Sequence, residues 1–447
     1  MASDESIFSR SFSEYELKKL GCVALTICFI TTFSFCTILR QPVLNLEVSV
    51  AFGLKMLIGS DKIEEPSRTL KPIYNLSNSR SEVLELNGDI RIHGSSSTIF
   101  VASNLLQEDS HSNWTLQPYA RKADVFVMQY IKKWSIKHHA AGIFPICHRN
   151  FSIPAVVFST GGYAGNQFHD FTDLLIPLYL TSQPFNRTVL FLITDKRYSW
   201  IFKYKEILNK LSKYEVVNID KKSQVMCFPK LLFGLKSHKE FGINPSEFPY
   251  HSINDFRNFL RNTYSLERET IDDYYSSKQR PRMLIVSRNN TRFLKNEGEV
   301  GNMARGLGFE VVVREIEQNI SLVAKFVNSF DVIMGVHGAG LTNMVFLPDN
   351  AVVVEIVPFG LENLAEPYFR IPSKEMKLRY LEYKVSLNES SLLGKYADDS
   401  VVYRDPGGLQ KKGFLRFRSV YLDNQDVSLD CGRFRDTLLQ ALEILKN

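Results

Sequence analysis

The chain has 447 residues, 44% of them hydrophobic, with a net charge of +6 and six cysteines. That length is enough for two domains with separate cores, and the cysteines are too few for a small disulfide-stapled module. The positive residues are scattered, with no zinc-finger or basic-helix pattern, which argues against nucleic acid and suits an anionic small molecule.

The first element is the uncharged stretch 20–39, LGCVALTICFITTFSFCTIL. A twenty-residue helix spans roughly 30 Å, about the hydrocarbon thickness of a bilayer. The run is longer than a signal peptide's apolar region and lacks an Ala-x-Ala exit. Lys18 and Lys19 precede it and Arg40 follows, a weak bias toward a cytosolic tail over 1–19 and a large body on the far side. Asn-x-Ser/Thr triplets at Asn75, Asn113, Asn150, Asn186, Asn289, Asn319 and Asn388 fit a lumenal, glycosylated body. Cys22, Cys28 and Cys36 lie inside the apolar run. Of the rest, Cys147 and Cys227 flank predicted strands and form the candidate disulfide, leaving Cys431 free.

Residues 40–95, with Pro42, Pro66 and Pro72 among polar runs, read as a stem. After Gly88, IRIHG, STIFVAS and ADVFVMQYI read as strands. AVVFST is a short apolar strand ending in Gly161-Gly162, and FHDFTDLLIPLYLTS is helical, with Phe168, Phe171, Leu174, Leu175 and Leu178 on one side. TVLFLIT, YKEILNKLSK and EVVNID then alternate strand, helix, strand. This predicts an α/β lobe with a parallel sheet over 96–275. A polar helical segment near 251–280 links it to a second alternation, RMLIVSR, VGNMARGLG, FEVVVRE, NISLVAKFVNSF, DVIMGVH and AVVVEIVP. That half, 276–425, reads as a doubly wound nucleotide-binding lobe, with a last helix in 426–447. Two α/β lobes facing a cleft suit a two-substrate transferase. A lumenal binding or scaffold protein without chemistry is the rival class.

Within GVHGAGLTN, small residues let backbone approach a ligand, and His337 at the strand end can donate to a phosphate oxygen or sugar hydroxyl. Gly338, Gly340 and Asn343 belong to the same loop. A plain tight turn is the other reading. Glu355, at the end of the next strand, can accept from ribose hydroxyls or sit in a salt bridge. Arg288 and Arg292, four apart after MLIVS, can flank a diphosphate. In the first lobe, His169, Asp170 and Asp173 follow a glycine turn. An acceptor hydroxyl needs a base, and Asp170 or His169 can serve; spacing does not choose between them. The order expected here is Asp170 first, with Asp173 supporting. No Asp-x-Asp, His-Glu-x-x-His or Gly-x-Ser-x-Gly occurs, so the expected chemistry is metal-independent, with the leaving diphosphate left to arginine, histidine and backbone amides.

These pieces together resemble the plant members of glycosyltransferase family 61, the xylan-modifying pentosyltransferases. The matching segments are GDIRIHGSSSTIF, WTLQPYARKAD, CHRNFSIPAVVFSTGGYAGNQFHDFTDLLIPLY, MLIVSRNNTRFLKNEGEV, GVHGAGLTNMVFLP and AVVVEIVP, in order from about residue 70 onward. The resemblance implies a type II Golgi membrane protein with a GT-B-like fold. It also implies inversion at the anomeric carbon and a UDP-xylose or UDP-arabinofuranose donor held mainly by the second lobe. It carries His337, Gly338 and Gly340 over as donor-loop residues and Arg288 as a diphosphate contact. The implied acceptor is xylan or arabinoxylan, the implied surroundings the Golgi membrane and other xylan-synthesis enzymes or a second copy of the chain. Beta-1,2-xylosyl transfer is the expected linkage, ahead of alpha-1,3-arabinofuranosyl transfer and N-glycan core beta-1,2-xylosyl transfer. One departure is visible: Tyr74 and Leu84 stand where related plant sequences carry paired cysteines.

Overall fold

The computed structural model describes residues 73–75, 80–102, 114–139, 144–271 and 280–446. The apolar stretch 20–39 lies outside them, as does Asn113; among the described residues no helix is long and apolar enough to cross a membrane.

The first sheet contains β1 (Ile73–Asn75), β2 (Val83–His93), β3 (Thr98–Ala102), β4 (Trp114–Leu116), β5 (Trp134–His139), β6 (Arg149–Asn150), β7 (Ala155–Ser159), β8 (Leu190–Thr194), β9 (Val217–Asn218) and β10 (Val225–Phe233). Its main path runs β4-β5-β3-β2-β10-β7-β8-β9. The run β10-β7-β8-β9 is parallel, whereas β2 pairs antiparallel with both β3 and β10. Every residue of β7 and β8 is buried, as expected of strands covered on both faces. Tyr74 and Leu84 are direct partners in the β1–β2 ladder.

The second sheet is wholly parallel, in the order β12-β11-β13-β14-β15. Its strands are β11 (Arg282–Ser287), β12 (Glu310–Glu315), β13 (Val332–Val336), β14 (Val352–Val357) and β15 (Arg379–Lys384). Strand order reverses between β11 and β13. The crevice beyond the carboxyl ends of those two strands is where open α/β sheets hold ligands. Arg288 and His337 are the residues that follow them.

A helix α1 (Ile253–Tyr264) ties the two halves together. Ser252 and Asp255 form a capping box at its start. Its Arg257 is fully buried and donates to the carbonyls of Val345, Leu347 and Met376 and to Asp349 at 2.8 Å. A buried guanidinium without those acceptors would be costly, so they fix the helix against the second half. Phe171 packs edge-to-face on Phe256 and Phe346, giving one core that runs between the sheets. Helices α2 (Glu297–Leu307) and α3 (Ile320–Asn328) cover the second sheet, and α4 (Cys431–Lys446) closes the chain.

Two sequence expectations change. Folded structure begins well before residue 96: β2 starts at Val83 and sits between β3 and β10, so the stem cannot extend to 95. Its pattern is hard to read because Val83, Leu84 and Leu86 are buried while Asn87 to Asp89 are not. ADVFVM is not a strand but a short helix, Val125–Met128, started by Asp124 accepting from the Val127 N–H at 3.1 Å. The cap outweighs the β propensity of the two valines. Cys147 and Cys227 are disulfide-bonded, with Cα atoms 6.0 Å apart, and Cys431 is free. Asn150, Asn186, Asn289, Asn319 and Asn388 are all exposed.

Candidate active site

On the first-sheet side, β7 runs into a glycine turn. Gly162 has φ of 57°, and a Cβ there would lie 2.9 Å from the Tyr119 ring. Asn166 then caps a helix that proceeds as Gln167–His169, a π-helical turn Asp170–Leu175, and Ile176–Ser182. Such wide turns are uncommon inside helices and concentrate at functional sites. Asp173 lies in this turn, fully buried. It accepts from Arg80 Nη2 at 2.6 Å, Arg121 Nη2 at 3.0 Å, Tyr119 Oη at 3.0 Å and His169 Nδ1 at 2.9 Å. Burial pushes its pKa up, but the Arg121 charge, the His169 hydrogen bond and Arg80 outweigh burial and hold it well below the carboxylate range. Glu240 completes the network by pairing with both arginines.

An ionised Asp173 only accepts, so Nδ1 of His169 carries the proton and Nε2 is left as the basic nitrogen. His169 lines the cavity between the two sheets and packs 4.4 Å from the Tyr163 ring. Asp170 is placed differently. It is fully buried, and its oxygens accept from the Gly165 N–H at 2.7 Å and Tyr204 Oη at 2.9 Å. Burial raises its pKa against those bonds and the nearby Lys203. It is not among the residues lining the cavity.

On the second-sheet side, His337 follows β13 directly. Its Nδ1 is bonded to Glu355, whose other oxygen accepts from Tyr380 Oη at 2.6 Å. Both oxygens of Glu355 are therefore occupied and the side chain is fully buried behind His337. It orients the imidazole, and the structure does not bring it to the cavity as a ribose acceptor. His337, Gly338 and Arg292 line the cavity. Gly338 has φ of 149°, and a Cβ there would lie 2.7 Å from Arg288 Nη1 and 3.0 Å from Arg292 Nη2. Arg288 is held by the carbonyl of Thr291 at 2.7 Å, Arg292 by that of Leu422 at 2.7 Å, and Arg292 Nε is buried with no acceptor. Burial lowers both arginine pKa values, and in Arg292 the adjacent Arg288 adds to this, bringing it down to about 9. This corner has concentrated positive charge and open donors, the chemistry of an anion site.

Gly340 is needed for space, since a Cβ would sit 2.8 Å from Val286. Asn343 is buried and binds the Gly340 carbonyl at 2.8 Å and Gln167 of the first half at 2.6 Å. It holds the loop in place across the two halves. Phe168 fits against Tyr368 and Phe369 beside the cavity, whose volume is about 240 Å³. Tyr368, Phe369, Arg80, Arg121 and Tyr380 were not singled out by sequence reasoning. Arg121 lies within WTLQPYARKAD, but nothing local to it signals a partner fifty residues on. Among the described residues no group of three or more His, Cys, Asp and Glu is arranged to hold a metal ion.

Residues 125–354 match the family model described as Glycosyltransferase 61. The chain is 42% identical over 395 residues to alpha-1,3-arabinosyltransferase XAT3 of Oryza sativa subsp. japonica, covering 87% of this chain and 67% of that protein. It is 39% identical over 386 residues to beta-1,2-xylosyltransferase XYXT1 of the same species, covering 82% and 83%. Xylan glycosyltransferase MUCI21 of Arabidopsis thaliana is 34% identical over 381 residues, covering 81% and 77%. With a strand-end anion corner facing an ordered histidine, and these matches over most of its length, the chain belongs to the glycosyltransferase 61 family.

Proposed function

We propose that this glycosyltransferase moves a pentose from a UDP-sugar to xylan, with inversion at the anomeric carbon. The observation that carries the reading is one cavity bordered on one side by His169, oriented by Asp173, and on the other by Arg292, His337 and Gly338. Nε2 of His169 takes the proton of an acceptor hydroxyl. The oxygen attacks the anomeric carbon, the bond from that carbon to the diphosphate oxygen breaks, and UDP leaves. Its growing negative charge meets Arg292, which lines the cavity, with Arg288 beside it at Gly338 rather than among the lining residues; both charges are already fixed and need no reorganisation during the step. In this reading His169 takes the role for which Asp170 is the first expectation from the sequence. Asp170 binds the Gly165 N–H and so holds the turn that presents His169.

The facing α/β halves and the cavity between them support a GT-B-like reading, with the donor on the second half and the acceptor on the first. The arginine pair supports diphosphate departure without a metal, testable by assay in a chelator. The apolar stretch 20–39 and the exposed sequons support a type II Golgi protein with a glycosylated lumenal body. Protease digestion of sealed microsomes tests that topology: the body should survive until detergent is added. Beta-1,2-xylosyl transfer remains the first linkage proposed. Alpha-1,3-arabinofuranosyl transfer is the second, favoured by the 42% identical arabinosyltransferase.

The direct test is full-length protein in detergent micelles with xylohexaose and either UDP-xylose or UDP-arabinofuranose, with products read by mass spectrometry and linkage by NMR. A pentose increment is expected. A folded protein that binds UDP yet adds no pentose overturns the reading.

A further inference from the structure

A second depression adjoins the catalytic cavity on the first-sheet side, and Tyr163 lines both. One end of this residue's environment is the reaction centre: its ring lies 4.4 Å from His169. Its hydroxyl donates to Asp124 Oδ2 at 3.1 Å, so the ring is held by the same aspartate that caps the short helix Val125–Met128. That helix supplies Phe126, and Tyr130 follows it. Their rings meet edge-to-face at 5.6 Å, yet they are 39% and 62% exposed. Aromatic rings left in water beside a concave surface call for a ligand.

The polar groups of the depression are rigid. Arg197 donates to the carbonyls of Ala164 at 2.8 Å and Gly162 at 3.1 Å. Asp195 accepts from Ser159 Oγ at 2.7 Å and the Lys132 N–H at 3.1 Å. A pyranose presents an apolar C–H face and an edge of hydroxyls. Open aromatic rings fit the face, and an anchored guanidinium and carboxylate fit the edge, without ordering cost at binding.

We propose that this depression is an extended subsite for the acceptor polysaccharide, binding sugar units of the chain away from the one that reacts at His169. The inference rests on the reading of a xylan acceptor given above. Continuity through Tyr163 sets the path: one unit at the base, its neighbours over Tyr163 toward Phe126 and Tyr130. Chain length then becomes part of acceptor recognition, because short acceptors reach His169 but not the outer rings.

Calorimetry with xylobiose and xylohexaose on full-length protein, without donor, tests this. Wild type should bind the hexamer more tightly than the dimer. Tyr130→Ala and Phe126→Ala should each weaken the hexamer about tenfold and remove most of the length effect, with UDP affinity unchanged. Tyr130→Phe, which keeps the ring, should bind nearly as wild type. Hexamer binding no tighter than dimer binding in wild type, or undiminished in both alanine variants with normal melting temperatures, overturns the subsite. If the expected binding pattern holds but no pentose is transferred, the reading of the reaction fails while the subsite stands.

Discussion

His169 donates from Nδ1 to Asp173 Oδ2 at 2.9 Å across one turn of the same helix, at the point where it widens into π geometry. The bond gives the imidazole one tautomer and leaves Nε2 as the unprotonated nitrogen of a residue that lines the cavity. His169→Ala should lower turnover by about 10²–10⁴, the usual contribution of a positioned base. UDP affinity should hardly change. Asp170→Asn, in contrast, should lower the melting temperature with turnover largely kept. If Asp170→Asn abolishes turnover with UDP binding intact and His169→Ala does not, the base is Asp170.

Asp173 itself should matter for stability as well as for rate. It is the shared partner of Arg80 and Arg121. Removing one member of a buried ionic cluster leaves the others uncompensated, and Asp173→Asn should cost about 3–5 kcal/mol of folding free energy. The pH dependence follows from the depressed pKa. An unfolded Asp titrates near ~3.9, and the folded one lies well below. Its stabilisation is therefore fully present above the unfolded value and is lost as pH falls toward the folded one. The melting-temperature gap between wild type and Asp173→Asn should be constant from neutral pH down to about 5 and narrow below about 4. A gap that instead widens on acidification would show that Asp173 is not held ionised.

The donor corner makes a third prediction. Arg288→Ala and Arg292→Ala should each weaken UDP binding by roughly 1.5–3 kcal/mol, the worth of a hydrogen bond to a charged group. Gly338→Ala should do the same with both arginines still present, since its Cβ would press on Arg288 Nη1 and its φ of 149° suits glycine. Calorimetry with UDP measures all three. Unchanged affinity in Arg288→Ala would remove that residue from the diphosphate site.

Much of this was legible in the sequence, for reasons that differ between the halves. The second sheet was readable because its β-branched runs, from MLIVS to VVVEIV, are bounded by glycine or charge, and GVHGAG falls at the strand end where the chain turns toward ligand. The Arg80–Asp173–Arg121–Glu240 cluster was not readable, because its members come from segments far apart in the chain and none has a local pattern. The choice between His169 and Asp170 was likewise invisible: adjacent residues on a helix point in different directions, and the π turn alters the usual spacing. Glu355 was found, but the sequence left open whether it meets a ribose or a buried partner. All six residues of β14 are buried, so alternation gives no sign of which way the carboxylate points.

That orientation yields the last prediction. Glu355 is bonded to His337 and Tyr380, and a residue that works by orienting His337 should affect UDP without reading the ribose. Glu355→Gln keeps the size but weakens the grip on Nδ1, so UDP affinity should fall. Tyr380→Phe removes the other bond to the carboxylate and should act in the same direction, more weakly. The decisive measurement is the ratio of affinities for UDP and 2′-deoxy-UDP. A ribose-binding carboxylate would distinguish the two nucleotides, because the deoxy compound leaves a buried acceptor unpaired. With Glu355 behind the histidine, the ratio should be the same in wild type and Glu355→Gln. A ratio that collapses toward one in the variant would return Glu355 to the ribose and require the carboxylate to leave His337 when UDP binds.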